Sequence, residues 1–141
     1  MSPRKRPSYQ GSPQQWMTSA EGDLRLARLA SEDTGIGPEY SCFHAQQAAE
    51  KALKAVLLSR GREFPYTHDI EELLRLAEEA GLPLPESVRQ ADVLTPFAIE
   101  TRYPGYWEEI REEEEAEALR IASEVVEWAR QVIQEAPGGK E

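Results

Sequence analysis

The sequence predicts an all-α protein, an up-and-down helical bundle of about five helices. Apolar residues recur at three- and four-residue steps through several long segments, which is the pattern of helices with one buried face. Turns rich in glycine and proline separate these segments. No segment alternates apolar and polar residues over a useful length, as a half-buried strand would. The 141 residues are therefore expected to form one helical domain around a single core.

The helical domain is predicted to span residues 13–135. Residues 1–12 are predicted to be a flexible tail, because proline, serine and glycine are frequent there. The tail is basic, since it contains Arg4, Lys5 and Arg6 and no acidic residue. Residues 136–141 contain two glycines and a proline and are predicted to be a frayed C-terminal end.

The first helix is predicted to begin at Ser12 and Pro13. Serine is a favoured helix cap, and proline is tolerated in the first turn because its missing N–H would be unpaired there anyway. A turn at residues 35–38, GIGP, ends this segment. The residues expected on its buried side are Trp16, Ala20, Leu24, Ala27 and either Leu29 or Ala30.

The second helix, predicted over residues 40–60, has the strongest periodicity of the chain. One face is apolar and is expected to lie in the core, with Ala45, Ala48, Ala49, Ala52, Leu53, Val56 and Leu57. Glu50 and Lys54 are four residues apart, so they are expected to form an ion pair across one turn.

Two shorter helical segments follow. Thr67 is the predicted cap of the third helix, which ends at Gly81. A fourth helical segment over residues 86–101 is expected to kink or restart at Thr95 and Pro96, because proline cannot donate a backbone hydrogen bond. The apolar face of the third helix is Ile70, Leu73, Leu74 and Ala77.

The last helix opens with four consecutive glutamates, residues 112–115. Acids at a helix start complement the positive end of the helix dipole, so this run is interpreted as a capping feature rather than a metal site. The apolar stripe that follows is expected to be core or a seam for a partner helix: Leu119, Ala122, Val126, Ala129 and Ile133.

Bulk properties exclude several classes of protein. The net charge of −10 excludes a general nucleic-acid binder, so any RNA contact must use a local cationic patch. No apolar run approaches the ~20 residues of a membrane span, and no secretory signal follows the basic start. The single cysteine, Cys42, is expected to be a buried small hydrophobe rather than a reactive thiol. Together these features predict a cytoplasmic protein without a membrane partner.

The sequence contains no familiar catalytic motif. It lacks a glycine-rich phosphate loop and a nucleophile elbow, and its two histidines, His44 and His68, have no cysteine partners for zinc. No catalytic residue, metal or cofactor is therefore assigned. For His68, beside a helix start, a capping or packing role is favoured over a ligand role.

A second, polar stripe runs along the predicted second helix, on another face than the apolar stripe. Its members share the helical period of the apolar stripe and include two cationic side chains and an imidazole. Two interpretations stay open, a solvated face or a site for an anionic ligand such as a nucleotide. The stripe consists of His44, Gln47, Lys51 and Lys54.

Three segments carry a family resemblance. Residues 43–55 read FHAQQAAEKALKA, residues 67–70 read THDI, and residues 101–104 read TRYP. In this order they resemble the HEPN domain family, in its nucleotidyltransferase-associated type, and with the intervening helices the resemblance covers roughly residues 19–133. It implies a small helical bundle whose family name records a proposed nucleotide-binding role.

The resemblance also raises the question of ribonuclease activity. Many toxin members are metal-independent ribonucleases that carry an arginine and, four to six residues later, a histidine. Arg102 fits the arginine, but no histidine occurs after His68. Enzyme activity is therefore doubtful, and ligand binding is the function left to consider. Arg102 could bind a phosphate through two hydrogen bonds, and Tyr103 and Tyr106 could stack on a base. The alternative is that Arg102 pairs with a glutamate and Tyr103 packs a helix end.

The favoured function is thus a HEPN domain that binds a nucleotide or RNA through Arg102, Tyr103, Tyr106 and the stripe from His44 to Lys54. The resemblance implies a homodimer and a small nucleotidyltransferase as partner. This chain would be the accessory or toxin member of the pair, which can act as toxin and antitoxin. Two alternatives are kept: a metal-independent RNA endonuclease with an altered active site, and a protein-interaction module without a ligand.

Overall fold

The structure, a computed structural model, describes residues 10–98 and 109–135. Within these two ranges it contains helices and no strand, which confirms the predicted all-α bundle. The five α-helices are α1 (Pro13–Ser31), α2 (Pro38–Ser59), α3 (Ile70–Glu79), α4 (Glu86–Arg89) and α5 (Glu112–Gln134). A 3-10 segment, Gln90–Ala98, continues directly from α4.

Helix α1 begins where the sequence predicts. The Ser12 hydroxyl accepts a hydrogen bond from the Gln15 N–H at 3.1 Å, and the Gln15 side chain accepts one from the Ser12 N–H at 2.9 Å. This reciprocal capping box satisfies two of the unpaired donors of a helix start. Of the two residues considered for the buried side near the end of α1, Ala30 is buried, whereas Leu29 is 55% exposed. Trp16 is only partly buried, and the other predicted core positions, Ala20, Leu24 and Ala27, are buried.

Helix α2 is the centre of the bundle and packs against α1, α3, α5 and the 3-10 segment. Its predicted apolar face is entirely buried and is mostly alanine, so neighbouring helices can approach it closely. The partners of Lys51 and His44, which are Ser19 and Asp23, show that α1 runs antiparallel to α2. The long shared face of these two helices carries the polar side chains discussed below.

The predicted cap of α3 is wrong by two residues. Asp69, not Thr67, is the last non-helical residue, and its carboxylate accepts a hydrogen bond from the Glu71 N–H at 3.1 Å. The Thr67 hydroxyl instead accepts from the Asp69 N–H at 3.0 Å, within the turn that precedes the helix. Aspartate caps a helix as well as threonine does, so the sequence contains two adequate candidates. The predicted apolar face of α3 is buried.

The fourth helical segment is α-helical only at its start. It passes into the 3-10 segment at Gln90, and Pro96 lies inside that segment without an α-helical restart. Proline has no backbone N–H to donate to the hydrogen bonds of a helix. The Thr95 hydroxyl accepts a hydrogen bond from the Ile70 N–H at 3.1 Å. This bond ties the segment to the first residue of α3. The predicted end at residue 101 lies outside the described residues.

Helix α5 begins with the four glutamates, as predicted, and packs along α2 and α1. Of its predicted stripe, Ala122, Val126 and Ala129 are buried, while Leu119 and Ile133 are partly buried. Glu115 accepts a hydrogen bond from the Ser41 hydroxyl, which joins the first turns of α5 and α2. The stripe is therefore largely used inside the chain.

Cys42 lies in the core beside these acids. Burial, with Glu115, Glu114 and Glu39 adding negative charge, raises the pKa of the Cys42 thiol to about 12. The thiol stays protonated at neutral pH, and the thiolate is the nucleophile, so Cys42 acts as a small buried hydrophobe as expected.

The start of the domain is tied to the connector between α2 and α3. The Gln10 side chain donates to the Phe64 carbonyl at 3.0 Å and accepts from the Phe64 N–H at 3.1 Å. The Trp16 indole in turn donates to the Gln10 carbonyl at 2.7 Å. Gln10 and Ser12 belong to the range predicted as a tail, and both contact the helical domain. None of the described helices combines the length and apolar character needed to cross a membrane.

Candidate functional site

Lys54 lies in the interior rather than on a cationic surface. Its ammonium is 2.8 Å from Glu50 Oε2, which confirms the predicted ion pair, and only 5% of the residue is exposed. The same ammonium lies 5.6 Å from the Trp16 ring centroid and 5.1 Å from that of Phe64, so two aromatic faces also stabilise its charge. The structure therefore places Lys54 where it orients Glu50, not where it meets solvent.

Glu50 is the hub of a buried hydrogen-bond network. Its Oε1 accepts from Gln46 Nε2 at 3.0 Å and faces His68 Nδ1 at 3.0 Å. Gln46 also accepts from Gln47 Nε2 at 2.7 Å and donates to the His68 carbonyl at 3.3 Å. The buried carboxylate is thus fully engaged, as a buried charge must be if it is not to destabilise the fold.

A second carboxylate organises the other half of the polar stripe. Asp23 projects from α1, is 9% exposed, and faces His44 Nδ1 at 2.9 Å with one oxygen and Lys51 Nζ at 2.7 Å with the other. Lys51 also donates to the Ser19 hydroxyl at 3.0 Å. One buried acid therefore fixes both predicted ligand-binding groups, His44 and Lys51, against α1.

The two histidines have the same arrangement. In each ring Nδ1 faces a carboxylate oxygen, so Nδ1 carries a proton and the other nitrogen, Nε2, points away from the carboxylate. No contact within residues 10–98 and 109–135 engages Nε2 of either ring. The side chains of His44 and His68 are 30% and 48% exposed. Each Nε2 can accept a hydrogen bond from a ligand when the ring is neutral and donate one when it is protonated.

The charges of this surface nearly balance. Asp23 opposes Lys51, and Glu50 opposes Lys54, so the described cluster has little excess positive charge while the imidazoles are neutral. A phosphate group would therefore need a further cation.

A groove at α3 and the following segments, with a volume of about 530 Å³, is a poorer site for an anion. It is lined by five carboxylates and two arginines, and both arginines are already paired with glutamates.

Comparison with known proteins identifies the family. The family model described as HEPN domain matches residues 13–132. The chain belongs to the HEPN domain family. Among solved structures, the crystal structure of TT1696 from Thermus thermophilus is 32% identical with a TM-score of 0.69, covering 85% of this chain and 97% of that one. ST0689, described as an archaeal HEPN homologue, is 30% identical with a TM-score of 0.69, covering 87% of this chain and 98% of that one. No curated protein matches the chain.

The remaining predicted site residues of this HEPN domain are Arg102, Tyr103 and Tyr106. They belong to residues 99–108, which lie outside the described residues. The described chain resumes at Glu109, and the first turns of α5 contact α2 through Ser41, which lies one helical turn before His44. The site and the start of α5 therefore adjoin the same end of α2.

Sequence analysis missed Asp23 and Gln46 of the HEPN site, and it predicted Glu50 only as the ion-pair partner of Lys54. Asp23 stands alone among apolar positions on the buried side of α1, and Glu50 and Gln46 are separated by one turn on a helix whose buried face is mainly apolar. A charged residue at a position expected to be buried is a recognisable signal, because such groups must be paired. For His68, the structure supports the expected packing role, since both its carbonyl and its ring contact α2.

Proposed function

We propose that this HEPN domain binds a nucleotide or RNA on the solvent-facing part of the α2 polar stripe, with Arg102 as the main phosphate contact. The observation that supports this proposal is the pair of partly exposed imidazoles held through Nδ1 by buried carboxylates, with no contact to Nε2 of either ring among the described residues. Side chains locked in this way are preorganised to meet a ligand at little entropic cost.

Each residue has a distinct role in this proposal. Lys51 and Gln47 border the ligand, and His44 Nε2 hydrogen bonds to a ribose hydroxyl or a phosphate oxygen. Arg102 supplies the positive charge that the balanced cluster lacks, through a bidentate phosphate contact. Tyr103 and Tyr106 stack on a base. Lys54 acts indirectly, because its ammonium holds Glu50 and thereby orients Gln46 and His68.

The proposed function extends to partners. We propose a homodimer in which each subunit carries one α2 stripe, and a small nucleotidyltransferase that acts with this domain as toxin and antitoxin in the cytoplasm. Because α5 buries most of its apolar stripe within the chain, the structural support for a dimer comes from exposed apolar side chains near the α1–α2 turn: Leu26, Leu29, Ile36 and Tyr40.

The expected result for assembly is a dimer in dilute solution. Light scattering at micromolar concentration should yield about twice the 15.9 kDa mass of the chain. Leu29→Glu, which places a charge among the exposed apolar residues, should shift the mass towards the monomer while circular dichroism still shows a folded helical protein, since Leu29 is 55% exposed in the single chain. A wild-type mass of 15.9 kDa would refute the dimer.

A second candidate, metal-independent RNA cleavage, is favoured by one observation. A histidine whose Nδ1 is held by a carboxylate and whose Nε2 is free has the geometry of a general base. His44 would have to replace the histidine that is missing after Arg102. We favour binding without cleavage, because the chain lacks the histidine that the family's ribonucleases carry after the arginine.

One titration tests both candidates. Purified protein is incubated with ATP and with a short structured RNA at two salt concentrations, and binding and cleavage are read separately. We expect binding whose affinity decreases only shallowly with salt, because few phosphates are neutralised, and no cleavage in the presence of a chelator. Absence of binding to either ligand would leave the protein-interaction module as the surviving alternative. Chelator-resistant cleavage that His44→Ala abolishes would establish the endonuclease instead.

A further inference from the structure

The connector between α2 and α3 presents one aromatic side chain to solvent. Tyr66 is 96% exposed, the largest exposure among the large apolar side chains described as exposed. Its ring centroid lies 6.1 Å from that of His68, with the ring planes tilted by 59°. A single exposed apolar residue is common on protein surfaces. The significance of Tyr66 therefore depends on how the backbone around it is held.

The connector is anchored on both sides of Tyr66. On one side, the backbone N–H and carbonyl of Phe64 both bond the Gln10 side chain, and the Phe64 ring meets Trp16 edge-on at 5.2 Å. Pro65 has a fixed φ angle and also restricts the backbone of Phe64, the residue before it. A segment held in this way does not need the Tyr66 ring for its own packing, and the ring buries almost no surface.

The other anchor is His68 itself. Its carbonyl accepts from Gln46 and its Nδ1 faces Glu50, whose side chain is 4% exposed. The imidazole therefore has a defined orientation beside the tyrosine ring, with Nε2 directed away from the carboxylate. One oriented imidazole with an uncontacted Nε2, beside an exposed ring on an anchored backbone, forms a surface whose ordering cost is partly met by folding.

We propose that Tyr66 and His68 form a stacking platform for an unpaired nucleobase. This inference rests on the proposed nucleotide or RNA binding and identifies where its base lies. A base offers a flat π-face to Tyr66, and its polar edge or a ribose hydroxyl can bond Nε2 of His68. The uncharged ring contact also suits a domain with a net charge of −10, where each phosphate contact works against the surrounding acids.

The platform is continuous with the α2 polar stripe. Gln47 donates to Gln46, Gln46 donates to Glu50, and Glu50 faces His68, so hydrogen bonds link the stripe to the platform. Gln47 and Glu50 are three residues apart, less than one turn of helix, or roughly 5 Å along the axis. The platform therefore adjoins the stripe to which the proposed function assigns the ligand.

The test compares ligands with and without bases. Fluorescence anisotropy measures binding of a labelled oligo(rA), an abasic ribose-phosphate oligomer of equal length, and ATP as a competitor. The variants are Tyr66→Ala, Tyr66→Phe, which keeps the ring, and Val93→Ala, which truncates an exposed apolar side chain in the 3-10 segment. Melting curves verify folding, which Tyr66→Ala should not change because the ring is almost unburied.

We expect Tyr66→Ala to weaken oligo(rA) binding by roughly 5- to 150-fold, the value of one stacked base. The affinities of Tyr66→Phe and Val93→Ala should stay close to that of wild type. Binding of the abasic oligomer should be the same for wild type and Tyr66→Ala. If Tyr66→Ala also weakens ATP binding, the platform binds the base of a free nucleotide. If it weakens only oligo(rA) binding, the platform binds a base of RNA.

Two results overturn the inference in distinguishable ways. Equal oligo(rA) affinities for wild type and folded Tyr66→Ala, or an equal loss for the abasic oligomer, would remove the platform and leave the proposed function standing. Failure of the wild-type protein to bind any of the three ligands would overturn the proposed function and the platform together.

Discussion

Lys54→Met is expected to lower the free energy of unfolding by about 3–5 kcal/mol, the usual cost of removing one partner from a buried ion pair. The substitution keeps the length and apolar stem of the side chain, so it removes little packing. It leaves the Glu50 carboxylate, whose side chain is 4% exposed, without its lysine and with only His68 and the glutamine amides as partners. Urea unfolding followed by circular dichroism measures the change.

A double variant and a neighbouring lysine provide the controls. Glu50→Gln combined with Lys54→Met removes both charges and keeps an oxygen for His68, so most of the lost stability should return. Lys51→Met should lower the free energy of unfolding much less, because the Lys51 side chain is 24% exposed and Asp23 keeps its contact with His44. A loss below about 1 kcal/mol for Lys54→Met would mean that Lys54 behaves as an exposed lysine.

Arg102→Ala is expected to weaken nucleotide or RNA binding by roughly ten- to a hundredfold. A hydrogen bond to a charged group contributes about 1.5–3 kcal/mol, and the described cations near the stripe, Lys51 and Lys54, are both paired with acids. The arginine would therefore supply most of the attraction for a phosphate. Titration of wild type and variant with ATP and a short RNA measures the effect, and a melting curve accompanies each protein.

The matched control is Arg25→Ala, which removes an exposed arginine from α1 and should leave affinity unchanged. Lys51→Ala should weaken binding less than Arg102→Ala, since Asp23 already balances Lys51. Unchanged affinity in a well-folded Arg102→Ala protein would place the phosphate site elsewhere. Loss of folding in that variant would support a structural arginine paired with a glutamate.

Local sequence patterns sufficed for the start of α1, the buried face of α2 and the start of α5. The capping residue Ser12 with Pro13, the alanine-rich face of α2 and the acidic start of α5 each depend on residues within a few positions of one another. Such interactions are short-range, so periodicity and capping preferences identify them. The cap of α3 was predicted wrongly because Thr67 and Asp69 are both suitable, and only the path of the connector selects Asp69.

The amino-acid sequence by itself thus determined the all-α class, the order of the helices and the polar stripe of α2. Only the tertiary structure decided how that stripe is divided, with Lys54 taken into the core by Glu50 and two aromatic rings, and His44 and Lys51 fixed by Asp23 of α1. The reason is physical: helical periodicity specifies which side chains share a face, but burial and pairing of a charge depend on residues that another helix supplies.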